Sequence, residues 1–294
     1  MKNYIFLLLA ALTQICCQNI PTLKALKKYA AVEKFNEDLY LMQVKEKRAM
    51  VIVAHDDDDC AMSGTIAKLS AQGWKIKQIS FQAHASSRSD IKQPSELLYV
   101  AHEYLSANQP YRFGLDTMKV PYLPIPLKEI ERQFPKEVIR AELLEKINSF
   151  QPKVLFSLDD IKGGYGHPDH VFISQLTAEL FRNGETKAER LYQSVFTDHM
   201  EIEIVDKRLA SKLKKWGFPN ASDIANEMYG IDGMPEPTTQ ITITDVADLK
   251  MEYLRAYDED VKKNLRKFLP YFEDFSASDY FGLFDREFFR VIQL

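Results

Sequence analysis

Two rhythms of apolar and polar positions alternate along this chain. Ala49 to Ala54 (AMVIVA) is a short unbroken apolar run of strand length, and Lys75 to Gln82 (KIKQISFQ) alternates with a strand's period of two. Lys153 to Leu158 (KVLFSL), Arg190 to Phe196 and Gln240 to Asp245 read as further strands. Between them the period changes to that of a helix. Ser63 to Gln72 is stopped by Gly73, and Lys136 to Phe150 opens at Pro135 with Ile139, Leu143, Leu144 and Ile147 on one face. Pro168 to Asn183 has proline in its first turn and Gly184 as its stop. Helices are also predicted over Thr22 to Glu46 (Leu23, Leu26, Tyr29, Val32, Phe35 and Leu39 at helical spacing), Ser95 to Ser106, and Leu249 to Phe268. Strands alternating with helices predict an α/β fold, a Rossmann-like layer arrangement with a mainly parallel sheet flanked by helices.

The first residues break this rhythm. Lys2 followed by Tyr4 to Leu12 (YIFLLLAAL), with a polar break at Gln18 and Asn19, reads as a signal peptide over residues 1–18 and predicts an exported protein, periplasmic, extracellular or held at the cell envelope. Cys16 and Cys17 close the apolar stretch, and either is a candidate lipid anchor. Ordinary cleavage is the alternative. Only Cys60 then remains, so no disulfide framework is expected. Residues 19–48 read as an N-terminal helical extension, 49–259 as the main domain, 216–237 as a loop-rich insertion in it, and the aromatic 260–294 as a tail packed on the domain.

Composition narrows the function classes. With 294 residues and 46% hydrophobic positions, the chain can bury a large core. Its 38 basic against 42 acidic residues give a net charge of −4, which argues against a nucleic-acid partner.

Two segments carry candidate chemistry. His55-Asp56-Asp57-Asp58-Asp59 follows the first strand directly; Gly163-Gly164-Tyr165-Gly166-His167-Pro168-Asp169-His170 follows a later strand and opens a helix. In an open parallel sheet, both would emerge at carboxyl strand ends, where such folds place their sites. Four adjacent carboxylates repel one another, and a divalent cation offsets that repulsion. Histidine, carboxylate and a second histidine form a ligand set suited to zinc with a position left for water. His167 and His170, three apart at a helix start, face the same way, so one can bind metal while the other reaches substrate. Either stretch alone is compatible with a solvated loop or a Ca²⁺ site; the pair after two strands points to a metal site.

With these residues in view, the chain resembles the PIG-L/LmbE-like family of metal-dependent N-deacetylases. That family's motifs are typically Ala-His-Pro-Asp-Asp-Glu and His-Pro-Asp-His, and the likeness runs from about Ala49 to Tyr257. GGYGHPDH is in pattern, whereas Asp56 stands for the family's proline and Asp59 for its glutamate. The resemblance implies that His55, Asp58 and His170 hold Zn²⁺, or another divalent metal such as Fe²⁺ or Co²⁺. It further implies Asp57 as general base and His167 as oxyanion stabiliser or acid, with Tyr165 as a further donor; Asp169 would orient a neighbour. Family members carry an arginine shortly before a glutamate after the second strand. Here Gln93, Pro94 and Ser95 precede Glu96, and Arg88 is the candidate replacement. His84 is a candidate substrate contact; His102 and His199 read as ordinary surface or core residues, and Cys60 as a small buried residue. Tyr257 and Asp258 stand where the family has a late histidine. The implied activity is removal of an N-acetyl group from an amino sugar or glycoconjugate. The alternatives are an amidase for a larger acyl conjugate and a non-catalytic carbohydrate-binding protein. Oligomeric state is left open.

Overall fold

The computed structural model describes residues 21–82, 100–106, 123–133 and 135–294. The expected signal peptide with Cys16 and Cys17, and His84, Arg88 and Glu96, lie outside the described residues. Seven strands form one sheet: β1 (Arg48–His55), β2 (Lys75–Gln82), β3 (Ala101–Tyr104), β4 (Val154–Leu158), β5 (Arg190–Val195), β6 (Thr239–Thr242) and β7 (Arg286–Gln293), in the order β3-β2-β1-β4-β5-β7-β6. β1 pairs in parallel with β2 and β4, β2 with β3, and β4 with β5, while β7 runs antiparallel between β5 and β6. The fold is therefore α/β with a mainly parallel sheet.

The alternation within β1 shows why the layers form. Ala49, Val51 and Val53 enter one core with Ile66, Leu69, Met251, Leu254 and Tyr280; Met50 and Ile52 enter the other with Ile139, Leu143, Ile147, Val171 and Leu180. A strand buried on both faces must be apolar at every position, which is what AMVIVA supplies. Each such side chain fully buried contributes about 1.5–3 kcal/mol of transfer free energy. Helices Ser63–Ala71, Ala247–Arg255, Glu259–Phe268 and Ala277–Leu283 cover one face; Lys136–Phe150 and Pro168–Arg182 cover the other. Among the described residues no helix is long and apolar enough to cross a membrane.

Several expectations are corrected. Thr22 to Glu46 is not one helix but short turns, Leu23–Leu26, Lys27–Tyr29 and Tyr40–Gln43, with an isolated bridge from Glu37 to Gln240 between them. Leu26, Tyr29 and Leu41 enter the core and Phe35 packs on Phe288, while Leu23, Val32 and Leu39 stay exposed, so no continuous stripe forms. Within the helix expected over Ser95 to Ser106, Ala101–Tyr104 is strand β3; pairing with β2 overrides local propensity. The insertion 216–237 contains a helix, Ala221–Tyr229, N-capped by Asn220 and ended by Gly230 in the left-handed region. Leu249 to Phe268 breaks into two helices because Asp258 leaves the helical region and caps the second. The aromatic end is not a tail laid on the domain: Arg286–Gln293 is a strand within the sheet.

That last strand anchors the site from below. Glu287, buried on β7, accepts from the Gly64 and Thr65 amides at 2.8 and 2.7 Å and pairs with the buried Lys250 ammonium. A carboxylate there complements the start of helix Ser63–Ala71, directly after the first motif. Glu287→Ala is expected to cost about 3–5 kcal/mol, because it leaves Lys250 as an uncompensated buried charge. Urea unfolding measures this, and adding Lys250→Met should recover part of the loss.

Candidate metal centre

β1 and β4 are neighbours, and from them the chain passes to β2 and β3 on one side and to β5 on the other. This is the sheet's topological switch point, where the loops diverge and leave a crevice beyond the strand ends. His55 is the last residue of β1, and Asp58 begins the one-turn helix after it. The loop after β4 is shaped by Asp159, whose carboxylate accepts from the amides of Ile161 (3.1 Å), Lys162 (2.6 Å) and Gly164 (2.7 Å). It delivers His167 as the N-cap of helix Pro168–Arg182, so His170 sits in the first turn.

Three groups meet here. His55 Nδ1 lies 3.1 Å from His170 Nε2, His170 Nε2 lies 3.2 Å from Asp58 Oδ1, and Asp58 Oδ2 lies 3.5 Å from His55 Nδ1. The far nitrogen of each ring faces an oxygen: His170 Nδ1 is 3.0 Å from the Gly163 carbonyl, and His55 Nε2 is 3.2 Å from Asp169 Oδ2. Each of these oxygens accepts a ring N–H, so once the inner proton is lost each imidazole turns a lone pair toward the carboxylate. A histidine ligand needs this arrangement, with the outer hydrogen bond fixing its tautomer. Ligand atoms bound tetrahedrally at about 2.0–2.1 Å stand about 3.3 Å apart. The His55–His170 and His170–Asp58 spacings are of this size, with the other Asp58 oxygen facing His55, so these donors suit a zinc-sized cation.

The electrostatics fit as well. Burial opposes charge on His55, but Asp58 and Asp169 hold its proton affinity well above the ordinary histidine value. Burial likewise opposes the Asp58 carboxylate, yet His170 and His55 hold it well below the usual range. The cluster is thus a cation-binding arrangement, in which a divalent metal would replace the protons that these rings share with Asp58. His167 differs. Burial pushes it down to about 3, only partly opposed by Asp169 and reinforced by His170 and His55. Its ring is therefore neutral near pH 7. Its Nδ1 accepts from the Asp169 amide at 3.2 Å, which leaves the proton on Nε2.

The structure brings the remaining sequence-predicted residues to the same place. The His167 ring stacks on His170 at 4.7 Å and meets His55 edge-on at 5.0 Å. His167 with the two other histidines, and Asp57 with His55 and Asp58, each form a compact group of potential metal donors. Asp57 and His167 thus each bring a donor atom within 4.8 Å of one on His55. Tyr165 stands edge-on to His170 at 5.4 Å and tilted against Phe268 at 5.0 Å.

The two departures from the family motif have local partners. Asp56 accepts from the Tyr104 hydroxyl at 2.6 Å, which holds a turn that lacks the proline. Asp59 is reached by the Tyr257 hydroxyl at 3.3 Å; burial, with Asp57 and Asp56 nearby, raises it to about 7. His102 lies on β3 against Ser80, and His199 bonds the Lys28 carbonyl, both away from the triangle. Cys60 is half-buried rather than fully buried, and burial with the surrounding aspartates pushes its thiol well up, which makes it a poor nucleophile.

Sequence reasoning missed Lys267. Its side chain is buried, and burial lowers its ammonium to about 8 against the opposing pull of Asp57. It comes from a lysine-rich amphipathic helix, where a charged face reads as solvated, and only packing brings it toward Asp57. Gly163 was a readable signal. Its φ is +59°, and a Cβ there would lie 2.7 Å from the His170 Cβ. Gly163→Ala is expected to displace His170 and weaken metal affinity about 10–100-fold, the usual cost of disturbing a ligand's outer support. Competition with a chelating dye checks this.

An open α/β sheet with a His-Asp-His donor triangle at its switch point defines the class: a Rossmann-like protein with a candidate metal centre. Residues 50–181, which hold both motifs, match the model of the PIG-L family, described as GlcNAc-PI de-N-acetylase. Among curated proteins, it is 24% identical over 172 residues to the mycothiol S-conjugate amidase of Streptomyces coelicolor, covering 51% of this chain and 56% of the relative. It is 31% identical over 120 residues to the 1D-myo-inositol 2-acetamido-2-deoxy-alpha-D-glucopyranoside deacetylase of Actinosynnema mirum, covering 41% of this chain and 40% of the relative. The chain thus spans about half the length of the curated relatives it matches. Among solved structures, it aligns with N,N'-diacetylchitobiose deacetylase from Pyrococcus horikoshii at 18% identity and a TM-score of 0.46, covering 87% of this chain and 86% of that one.

Proposed function

We propose that this protein is a zinc-dependent hydrolase that removes an N-acetyl group from an amino sugar or glycoconjugate. The observation that carries this reading is the donor triangle of His55, Asp58 and His170, with both outer ring nitrogens already tied to Gly163 and Asp169. The family segment supports it, as do relatives whose names describe a deacetylase of a 2-acetamido sugar and an amidase.

Those three residues would hold the metal. When bound, it supplies Lewis acidity, lowering the pKa of water toward about 7 and polarising the amide carbonyl. Asp57 lies beside His55 and Asp58 and accepts the proton of the attacking water. His167, neutral with its proton on Nε2, donates to the oxyanion of the tetrahedral intermediate. Tyr165 is a second donor on the same side as His170. Asp169 orients the His55 ring. The amine leaves with the proton passed on from Asp57 or its neighbours.

Acetate release from a panel of N-acetylated glycans, with and without chelator, tests the reading. Release that chelation abolishes and added zinc restores is the expected result. Release indifferent to chelation would refute the metal, and no release from any substrate would refute the hydrolase.

A further inference from the structure

Beside the donor triangle lies a cavity of about 940 Å³, counting the solvent at its mouth. Its wall includes Asp58, His170 and Tyr165, and is otherwise dominated by apolar side chains, Phe196, Phe268 and Phe284 among them. Asp57 and His167 are not part of that wall. The cavity therefore reaches the candidate centre at Asp58 and His170, next to the proposed base and oxyanion donor but not lined by them. Much of its lining comes from residues after Lys250, beyond the segment that matches the family.

Of the wall's charged groups, Glu287 is bound by Lys250 and by the Gly64 and Thr65 amides, while Arg286 lies 3.2 Å from Asp285 and over the Phe288 ring, with its Nε making no hydrogen bond. Ser194 donates to the Ala61 carbonyl at 3.4 Å. A sugar ring placed here would lose its water and find few hydrogen-bond partners, the Arg286 Nε among them. An alkyl chain would lose only unfavourable hydration.

We propose that this cavity is an acyl chamber, and that the protein hydrolyses amides whose acyl part is a medium-length apolar chain rather than acetyl alone. The inference rests on the amide-hydrolase reading and specifies its substrate. At the carbonyl carbon the two halves of an amide point apart. The acyl chain enters the chamber past His170, and the polar amine half lies on the side of Asp57 and His167. Water adds its oxygen to the carbonyl carbon, the C–N bond breaks, both water protons end on the amine, and a fatty carboxylate and an ammonium leave.

The test compares kcat/KM for glucosamine N-acylated with acetyl, butanoyl, hexanoyl and octanoyl groups. Each methylene buried is worth about a fourfold gain, so kcat/KM should climb along the series until the chamber is full. Leu269→Trp, which fills the chamber from a half-buried position in its wall, should lower octanoyl turnover and leave acetyl turnover near normal. Binding of octanoate and acetate, read by calorimetry, needs no turnover; octanoate should bind at least about a hundredfold more tightly. Acetyl hydrolysis with longer chains rejected, or equal binding of the two acids, would overturn the chamber and leave the hydrolase standing. Tight octanoate binding with no hydrolysis of any amide would uphold the chamber and overturn the hydrolase.

Discussion

Protein carrying His55→Ala and His170→Ala together is expected to purify without its metal and without activity. The two rings supply two of the three donors, and each is held by an outer hydrogen bond, His170 to the Gly163 carbonyl and His55 to Asp169. Structural zinc sites with four ligands bind with about 10–16 kcal/mol, so losing two ligands costs on the order of 5 kcal/mol, or about 10⁴-fold in affinity. Asp58 alone cannot compensate. Metal analysis of purified protein, with the unfolding curve of the same sample, is the measurement. Unchanged stoichiometry would remove both residues from the site, while lost metal with an intact fold is the result the geometry demands.

Asp57→Asn should give the opposite pattern, with metal retained and turnover lost. The substitution keeps the side chain's shape but removes its proton acceptor, and the three ligands remain in place. General acid–base groups contribute on the order of 10²–10⁴-fold, so kcat should fall within that range. The neighbouring carboxylates are poorly placed to substitute. Asp56 is bonded to the Tyr104 hydroxyl, and Asp59 faces the Tyr257 hydroxyl and is raised to about 7 by burial. Measuring kcat and metal content on one sample separates the outcomes. Near-normal turnover would take Asp57 out of the mechanism; lost metal would recast it as a ligand.

These two variants also tell apart residues that adjacency in sequence cannot. Asp56 to Asp59 look alike in the chain, four carboxylates in a row. In the structure each meets a different environment: a tyrosine hydroxyl, the field of Lys267, two imidazoles, and a buried pair of tyrosines. Burial and neighbours, rather than residue type, assign their chemistry.

The sequence by itself determined the parts of this protein that are local. β1, β2, the helix Lys136–Phe150 and the helix Pro168–Arg182 fall where periodicity and caps put them, because an apolar strand buried on both faces and an amphipathic helix with a proline start leave few other conformations. The two motifs were legible for the same reason, each being contiguous and attached to a predictable strand end. Tertiary structure decided what depends on distant partners. It made Ala101–Tyr104 a strand by pairing it with β2, and broke up the expected N-terminal helix against the sheet edge. It drew Arg286–Gln293 into the sheet, where Glu287 supports the first motif's helix from more than two hundred residues away. It also built the apolar chamber and brought Lys267 toward Asp57. No pattern along the chain encodes such contacts, because their free energy comes from hydrogen bonds and buried surface that exist only once both partners have folded.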